Sequence, residues 1–322
     1  KFVKEKTLFL YPSLTSRIHW ITDIPLDVHL MVNNPENYID DFAKAGADII
    51  TFHSEACSNP KELINSIKKY DNIKAGIALN PDTELSNIEN IIEDVDMILL
   101  MSVVPGRCGQ GYIEKITDKI ISLKDIIRTK GYSAMIEVDG GIKIDNAYKP
   151  INAGADILVS GSGIFSLADP DNAIKQMKDT ILIGCDHGGF ELKNKLKAYL
   201  NEKHLAYFDV GTYSTESCDY PDYAKKVAAP ISEGKYSKGI LICGTGLGMS
   251  MTANRYSNVR AAECYDIFTA EMAREHNDAN ILCMGQRSLD HKLATEITEK
   301  WLSTPFSEGE RHKKRIEKID LC

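Results

Sequence analysis

The chain has 322 residues, 43% of them apolar and 26% charged, a composition that fits an ordinary soluble globular protein and excludes a disordered, fibrous or disulfide-scaffold chain. At roughly 100 to 200 residues per domain, the length predicts two domains. The formal charge is -8, with 19 basic against 25 acidic side chains in residues 1–178 and 19 against 21 in 179–322, so neither half offers a basic surface to nucleic acid.

The longest apolar stretch, 97–104, is interrupted by Ser102 and falls far short of the roughly 18 residues needed to cross a bilayer, so no membrane partner is expected. Lys1 to Lys6 are not followed by the apolar core of a secretory signal. The opening Lys, in place of Met, reads as the start of a fragment. Eight cysteines (57, 108, 185, 218, 243, 264, 283 and 322) form no CxxC pair, which predicts reduced thiols in a cytoplasmic protein.

In chain order, β-rich runs at 26–31, 48–52, 74–79, 96–101, 134–138 and 156–159 alternate with amphipathic stretches such as 35–45, 61–69 and 113–128. Repeated strand–helix units of this kind predict a parallel sheet with right-handed crossovers. "KAGAD" (from Lys44) and "NAGAD" (from Asn152) are one helix-stop, strand-start device used twice. A second series starts near Thr180. Its strands are predicted at 181–185, 206–210, 239–243, 259–264 and 281–284, with helices at 190–201, 222–233, 249–256, 267–276 and 290–302. The predicted architecture is α/β: an incomplete TIM-type (β/α) barrel over 1–178, then a doubly wound five-stranded parallel-sheet, Rossmann-like domain over 179–322. No Gly/Ser/Pro-rich linker separates them.

Doubly wound sheets bind ligands beyond the carboxyl ends of their strands. There the chain reads "CDHGGF" (from Cys185), "CGTGLGMS" (from Cys243) and, before the last strand, "REHNDAN" (from Arg274). The backbone N–H groups of Gly244-Thr245-Gly246-Leu247-Gly248 predict an anion cradle beside Cys243, a setting that lowers a thiol pKa. Two other readings stand beside it. Cys243 serves packing alone, or the glycines form a dinucleotide loop, against which Met249 occupies the place of the third glycine. Likewise His276 reads as a helix-end cation and Arg311 to Arg315 as a solvated tail or an import-like basic run.

"GCDHGGFELK", "DYPDYA", "GILICGTGLGMS", "REHNDANIL" and "RHKKRIEKI" occur in an order and spacing that resemble ribose-5-phosphate isomerase of type B over essentially all of 180–322. The resemblance implies aldose–ketose isomerisation through an enediolate, with no cofactor. It makes Cys243 the base between C1 and C2, with Thr245 and the N–H groups of Gly244, Gly246 and Gly248 stabilising the enediolate oxygen. Asp186, His187 and Tyr220 contact the sugar phosphate, His276 beside Asn277 opens the furanose ring, and Arg287, Arg311 and Arg315 bind phosphate, for which a guanidinium fork is suited. It also implies a site built across a subunit interface, hence at least a homodimer. Galactose-6-phosphate isomerase subunits are related; Cys243 with His276-Asn277 favours the five-carbon substrate.

"LDVHLMV" (from Leu26), "KAGADIITFHSEA", "KAGIALNPDT" (from Lys74), "MSVVPGRCGQ" (from Met101), "EVDGGI" (from Glu137) and "GADILVSGSGIF" (from Gly154) resemble ribulose-phosphate 3-epimerase over about 26–178. The resemblance implies a (β/α)₈ barrel whose metal-held carboxylates pass a C3 proton. His29 matches a metal ligand, and Asp139 matches both a ligand and a catalytic carboxylate. Gly140, Gly141, Gly161 and Ser162 match the phosphate cradle of such barrels. Read on its own, His29 is a strand-end core histidine, and His53 has no assigned role. The family's H-x-D-x-M-D-G motif does not occur before His29, and its G-F-G-G loop reads Gly106-Arg107-Cys108-Gly109, adding a cation. The expected outcome is an impaired epimerase half that holds zinc, manganese or iron weakly, or a non-catalytic scaffold or oligomerisation module. Residues upstream of Lys1 that restored the motif would make the chain a bifunctional epimerase–isomerase.

Overall fold

The computed structural model describes residues 11–106 and 109–321. The chain forms two compact units, Lys1–Ala173 and Ile174–Cys322. The first carries strands β1 (Asp27–Leu30), β2 (Ile49–His53), β3 (Lys74–Leu79), β4 (Met97–Met101), β5 (Met135–Asp139) and β6 (Ile157–Val159). Its helices are α1 (Pro12–His19), α2 (Ile39–Lys44), α3 (Pro60–Ile67), α4 (Lys115–Lys130), α5 (Tyr148–Ala153), α6 (Ser162–Phe165) and α7 (Pro170–Lys178), the last spanning the junction.

The six strands pair in parallel in sequence order, β1 to β6. The sheet curls enough for Asp27 on β1 to hydrogen-bond Glu137 on β5. β2 and β4 are buried throughout, as expected of parallel strands covered on both faces. The repeated helix-stop device has a physical basis: Gly46 and Gly154 take left-handed conformations (φ +91° and +108°) just past α2 and α5, where glycine has no Cβ penalty. The aspartate that follows each caps the neighbouring strand. Asp48 Oδ2 accepts the Leu26 N–H (2.7 Å), and Asp156 Oδ2 accepts that of Ile136 (2.9 Å). Asp96, before β4, does the same for Ala75 (2.8 Å). The helix expected over 113–128 runs instead to Lys130 because Gly131 (φ +70°) supplies its stop, and the helix expected over 35–45 is divided into a 3-10 turn, Pro35–Asn37, and α2.

The second unit contains β7 (Ile181–Cys185), β8 (Tyr207–Asp209), β9 (Lys238–Cys243), β10 (Ala261–Glu263) and β11 (Ile281–Gly285). Its helices are α8 (Phe190–Glu202), α9 (Tyr220–Ser232), α10 (Leu247–Ala253), α11 (Ile267–Asn277), α12 (His291–Ser303) and α13 (Glu310–Asp320). The parallel order is β10-β11-β9-β7-β8, which reverses direction between β7 and β9. Period-two alternation divides the core between the two faces. Ile181, Ile183, Ile240 and Ile242 pack with Leu192 and Leu196 of α8 and Ile297 and Trp301 of α12. Leu182, Leu241 and Cys243 pack with Ala224 and Val227 of α9 and Met249 and Ala253 of α10. α9 starts two residues before the expected 222 because Asp219 and Pro221 form its N-terminus. Among the described residues, no helix is long and apolar enough to cross a membrane.

Candidate functional sites

The strand order reverses between β7 and β9, the point beyond whose carboxyl ends doubly wound sheets bind ligands. Asp186 and His187 follow β7; Cys243 ends β9. Cys243 is 4% exposed, and its Sγ accepts the backbone N–H of Gly246 at 3.1 Å. Gly246 is left-handed (φ +85°), and a Cβ there would lie 2.9 Å from Glu263 Cγ, so the turn that aims this N–H at sulfur requires glycine. The Tyr220 ring lies so close over Gly248 that a Cβ on the glycine would sit 2.6 Å from Cζ, and the Arg287 guanidinium lies over Gly244. The backbone of the 285–287 segment fixes this arrangement, since Gln286 N–H donates to the Cys243 carbonyl (2.9 Å) and Arg287 N–H to that of Gly244 (3.0 Å).

Asp186 is buried, and its Oδ1 has no hydrogen-bond partner. Burial pushes its pKa up, against the pull of His187, the Gly188 and Gly189 N–H groups and Arg287. An unsatisfied acceptor in a crevice favours a hydroxyl-bearing ligand. His187 Nδ1 lies 3.2 Å from both the N–H and the carbonyl of Cys218. The structure therefore brings Asp186, His187, Tyr220, the Cys243–Gly248 loop and Arg287 together.

His276, Asn277, Arg311 and Arg315 do not join them within one chain. β11 runs parallel to β9 with Ile281 opposite Gly239 and Gly285 opposite Cys243. α11 ends just before β11 begins, so its last turn sits at the amino edge of the sheet, about 13 Å of strand away from Cys243. There the His276 and His312 rings stack (centroids 4.3 Å apart, 7° from parallel), and Arg311 Nε donates to His312 Nε2 at 3.0 Å. The Asn277 carbonyl accepts from Arg260 Nε (3.0 Å). The candidate residues thus fall into two groups at opposite ends of the strands of one sheet, Cys243 with its neighbours at the carboxyl end and His276, Asn277, Arg311 and Arg315 at the amino end.

In the first unit, His29 on β1, His53 on β2 and Asp139 on β5 converge. His29 Nε2 is 2.9 Å from His53 Nε2, and His29 Nδ1 is 3.9 Å from Asp139 Oδ2. Burial, then the charge of His53, lowers His29 to about 3, so it is neutral. Burial, then Asp27, raises Asp139 to about 6, against the pull of His53. Glu137, two residues before Asp139 on the same face, is 3% exposed and is pushed to about 9 by burial and then by Asp27. Gly140 (φ +119°) and Gly141 (φ +69°) turn the chain after β5; a Cβ at 140 would strike Val103 and one at 141 the Tyr112 amide. Ser102 N–H holds the Asp139 carbonyl (2.7 Å) and its Oγ that of Gly140 (2.6 Å). Ser160 Oγ donates to the Ile142 carbonyl (2.7 Å), bringing the turns after β5 and β6 together, while the space around Gly161, just before Ser162, is open.

The profile of the ribulose-phosphate 3 epimerase family matches residues 1–165, and that of the ribose/galactose isomerase family matches 181–319. Ribose-5-phosphate isomerase B of Escherichia coli is 44% identical over 139 residues, covering 43% of this chain and 93% of that protein. The chloroplastic ribulose-5-phosphate-3-epimerase of Arabidopsis thaliana is 46% identical over 169 residues, 52% of this chain and 60% of that protein. Ribulose-phosphate 3-epimerase of Bacillus subtilis is 42% identical over 168 residues, 52% of this chain and 77% of that one. The chain belongs to both families.

This epimerase–isomerase fusion thus joins a half-barrel to a Rossmann-like sheet. The expected departure in the epimerase-family glycine loop, Arg107-Cys108, lies outside the described residues. His29 and Asp139 are donors of a class that suits a divalent ion, but the described residues contain no group of three or more His, Cys, Asp or Glu side chains arranged to hold one. The donor set present therefore falls short of a metal site, and no step below is routed through a metal. Three polar residues of the barrel unit escaped the sequence reading, Asp27, Glu55 and Glu137, while His53 was noted without a role; in the isomerase unit Gln286 escaped it. Period two was the missed signal in the barrel. Asp27-x-His29, Thr51-x-His53 and Glu137-x-Asp139 each place two polar side chains on one face of a strand otherwise rich in Ile, Val and Leu.

Proposed function

We propose that the isomerase half interconverts ribose 5-phosphate and ribulose 5-phosphate. Cys243 thiolate takes the C2 proton of the open-chain aldose, the hydroxyl proton passes from O2 to O1 across the enediolate, and the proton on sulfur returns to C1. The observation that carries this reading is the Gly246 N–H donated to Cys243 Sγ beside the unpartnered Oδ1 of Asp186. A thiolate gains from such a donor, and the remaining loop N–H groups, with Thr245, supply what a developing enediolate oxygen needs. Asp186, His187 and Tyr220 hold the sugar and Arg287 lies beside it.

Ring opening by His276, with Asn277, and phosphate capture by Arg311 and Arg315 then come from a second copy. The two half-sites at opposite edges of one sheet support a homodimer that completes both, with the Cys243 edge of one subunit facing the α11–α13 edge of its partner. Reduced cysteines in the described structure accord with a cytoplasmic setting.

For the barrel half we propose a site for the same class of sugar phosphate, with Asp139 as an acid/base group and Gly140, Gly141, Gly161 and Ser162 around the phosphate. Inversion at C3 needs an acid/base group on each face; Asp139 stands beside His29, and of the neighbouring carboxyls Glu137 is buried and pushed to about 9. A divalent ion on His29 and Asp139 would need further donors. A polypeptide of these 322 residues is accordingly expected to form xylulose 5-phosphate at less than about a tenth of its isomerase rate, measured with a transketolase-coupled assay; a comparable rate abolished by Asp139→Asn would overturn that expectation.

The test of the main reading is Cys243→Ala, which should lower kcat for ribose 5-phosphate by about a hundredfold or more, the contribution of a positioned base. Near-normal turnover would remove Cys243 from the mechanism.

A further inference from the structure

His312 is the one buried side chain of α13, 6% exposed on an otherwise charged helix, and nothing so far gives it a task. Helix α13 is pinned against the end of α11 at both of its own ends. Before it, Ser307 donates its N–H (3.0 Å) and its hydroxyl (2.7 Å) to the Glu275 carbonyl. At its far end, Arg260 bridges Asp278, just past α11, at 3.0 Å and Asp320, the last residue of α13, at 3.3 Å. The His312 ring is thereby laid on that of His276, 7° from parallel with centroids 4.3 Å apart. A Cβ at position 309 would stand 3.1 Å from His312 Cδ2, so the glycine there leaves room for the ring.

Arg311 determines what the edge of that ring does. Its Nε lies 3.0 Å from His312 Nε2, and a guanidinium only donates. His312 Nε2 is therefore a lone pair, and the ring is neutral with its proton on Nδ1. The surroundings agree: burial, then His276, Arg311 and Arg315, lower the His312 pKa against the pull of Glu275. The same bond orients Arg311. It uses the Nε–H and leaves the two Nη groups, a pair that can grip a phosphate through two parallel bonds.

We propose that His312 is a positioning residue for the isomerase reaction: one buried ring fixes the plane of His276 by stacking and that of Arg311 by accepting its Nε–H, so the ring-opening group and the phosphate-binding group are held in one fixed relation. The inference rests on the reading of His276 and Arg311 as groups that meet the substrate. Its consequence is a division of labour within one side chain. The face of the ring serves His276, and so the turnover of the closed sugar, while Nε2 serves Arg311, and so affinity for the phosphate. The two contributions can be removed one at a time. Phenylalanine keeps a flat ring and has no acceptor, whereas glutamine carries an amide oxygen near the place of Nε2 and has no ring.

The experiment is steady-state kinetics of the full chain on ribose 5-phosphate, comparing His312→Phe, His312→Gln, Arg311→Ala and the double variant Arg311→Ala/His312→Phe. His312→Phe should raise KM by about twofold to tenfold, the effect of one lost hydrogen bond, with kcat nearly unchanged. His312→Gln should do the reverse, lowering kcat by about twofold to tenfold for the lost stacking, with KM near that of the parent. In the double variant KM should be no higher than in Arg311→Ala, because the acceptor acts only through the guanidinium. Losses shared equally between kcat and KM in both single variants, or a double variant whose KM rises by the product of the two effects, overturn the proposal. Long-range ¹⁵N–¹H NMR of the unmodified, ligand-free protein, with the imidazoles assigned by correlation to the backbone, should show His312 protonated at Nδ1 and bare at Nε2; a proton on Nε2 overturns the proposal even if no variant folds. An unchanged KM in Arg311→Ala would sink the phosphate reading and the proposal with it, whereas a raised KM there beside an unaltered one in His312→Phe would leave that reading standing and sink the proposal alone.

Discussion

The two halves of the fusion set the residue proposed for proton transfer at a strand end by opposite means. In the isomerase half Cys243 sits among apolar side chains of β9, α9 and α10, and what distinguishes it is backbone: a left-handed glycine that turns an N–H onto sulfur. In the barrel half Asp139 sits in a set of titratable side chains, Asp27, His29, His53 and Glu137, and its setting is charge and desolvation. Backbone donors cannot be lost by substitution of their own side chain, so the first site is sensitive to the sulfur and to added Cβ atoms. The second is sensitive to each neighbouring ionisable group and to pH. The candidate residues of the isomerase half are also divided between two ends of its sheet, whereas the barrel cluster is assembled from β1, β2 and β5 of one chain.

The largest effect that would sharpen this comparison is complementation. Cys243→Ala and Arg311→Ala damage different half-sites, so each homodimer should be nearly inactive or weakened at low substrate, while subunits mixed after dissociation and reassociation should regain up to about one intact site per two, a quarter to a half of normal kcat/KM. Activity of the mixture no greater than the sum of the separate variants would reject the shared site and place His276 and Arg311 outside catalysis.

A smaller effect is expected of Arg311→Ala alone. The residue is exposed on α13, its Nε engaged by His312, and the loss of one charged hydrogen bond to phosphate costs about 1.5 to 3 kcal/mol. Steady-state kinetics should show this as a rise in KM of roughly 10-fold to 150-fold with kcat changed far less. Unchanged KM and kcat would return the 311–315 segment to a solvated tail.

Much of the fold was legible because buried parallel strands read as runs such as Ile181–Ile183 and Met97–Leu100, and because Gly46 and Gly154 with the aspartates after them mark where strands begin. Cys243 and its glycine loop were legible for the same reason, being consecutive in sequence. The placement of His276 and Arg311 away from Cys243 within one chain was not, since spacing along a chain does not say at which end of the sheet a residue lies. His53, Asp27 and Glu137 lie on different strands, and their association depends on the curl of the sheet, which no local pattern encodes.

The smallest expected effect concerns Glu137. Its pKa is raised to about 9 by burial and by Asp27, whereas in an unfolded chain it titrates near 4.3. Between those two values the folded protein holds a proton that the unfolded chain has released, so stability is greatest below the lower value and declines as pH rises through the window. Glutamine at this position keeps the shape, can still donate to Asp27, and has no proton to lose. Glu137→Gln should therefore match the parent protein at pH 4 and exceed it at pH 9 in unfolding free energy, measured by urea titration, by on the order of 1 kcal/mol or more. Asp139, raised to about 6, declines in the same direction in both proteins and largely cancels from the difference. A gap independent of pH would mean that Glu137 is ionised in the folded barrel at neutral pH. The contrast between a backbone-built site and a charge-built one would then have to be redrawn with a carboxylate pair, not a shared proton, beneath Asp139.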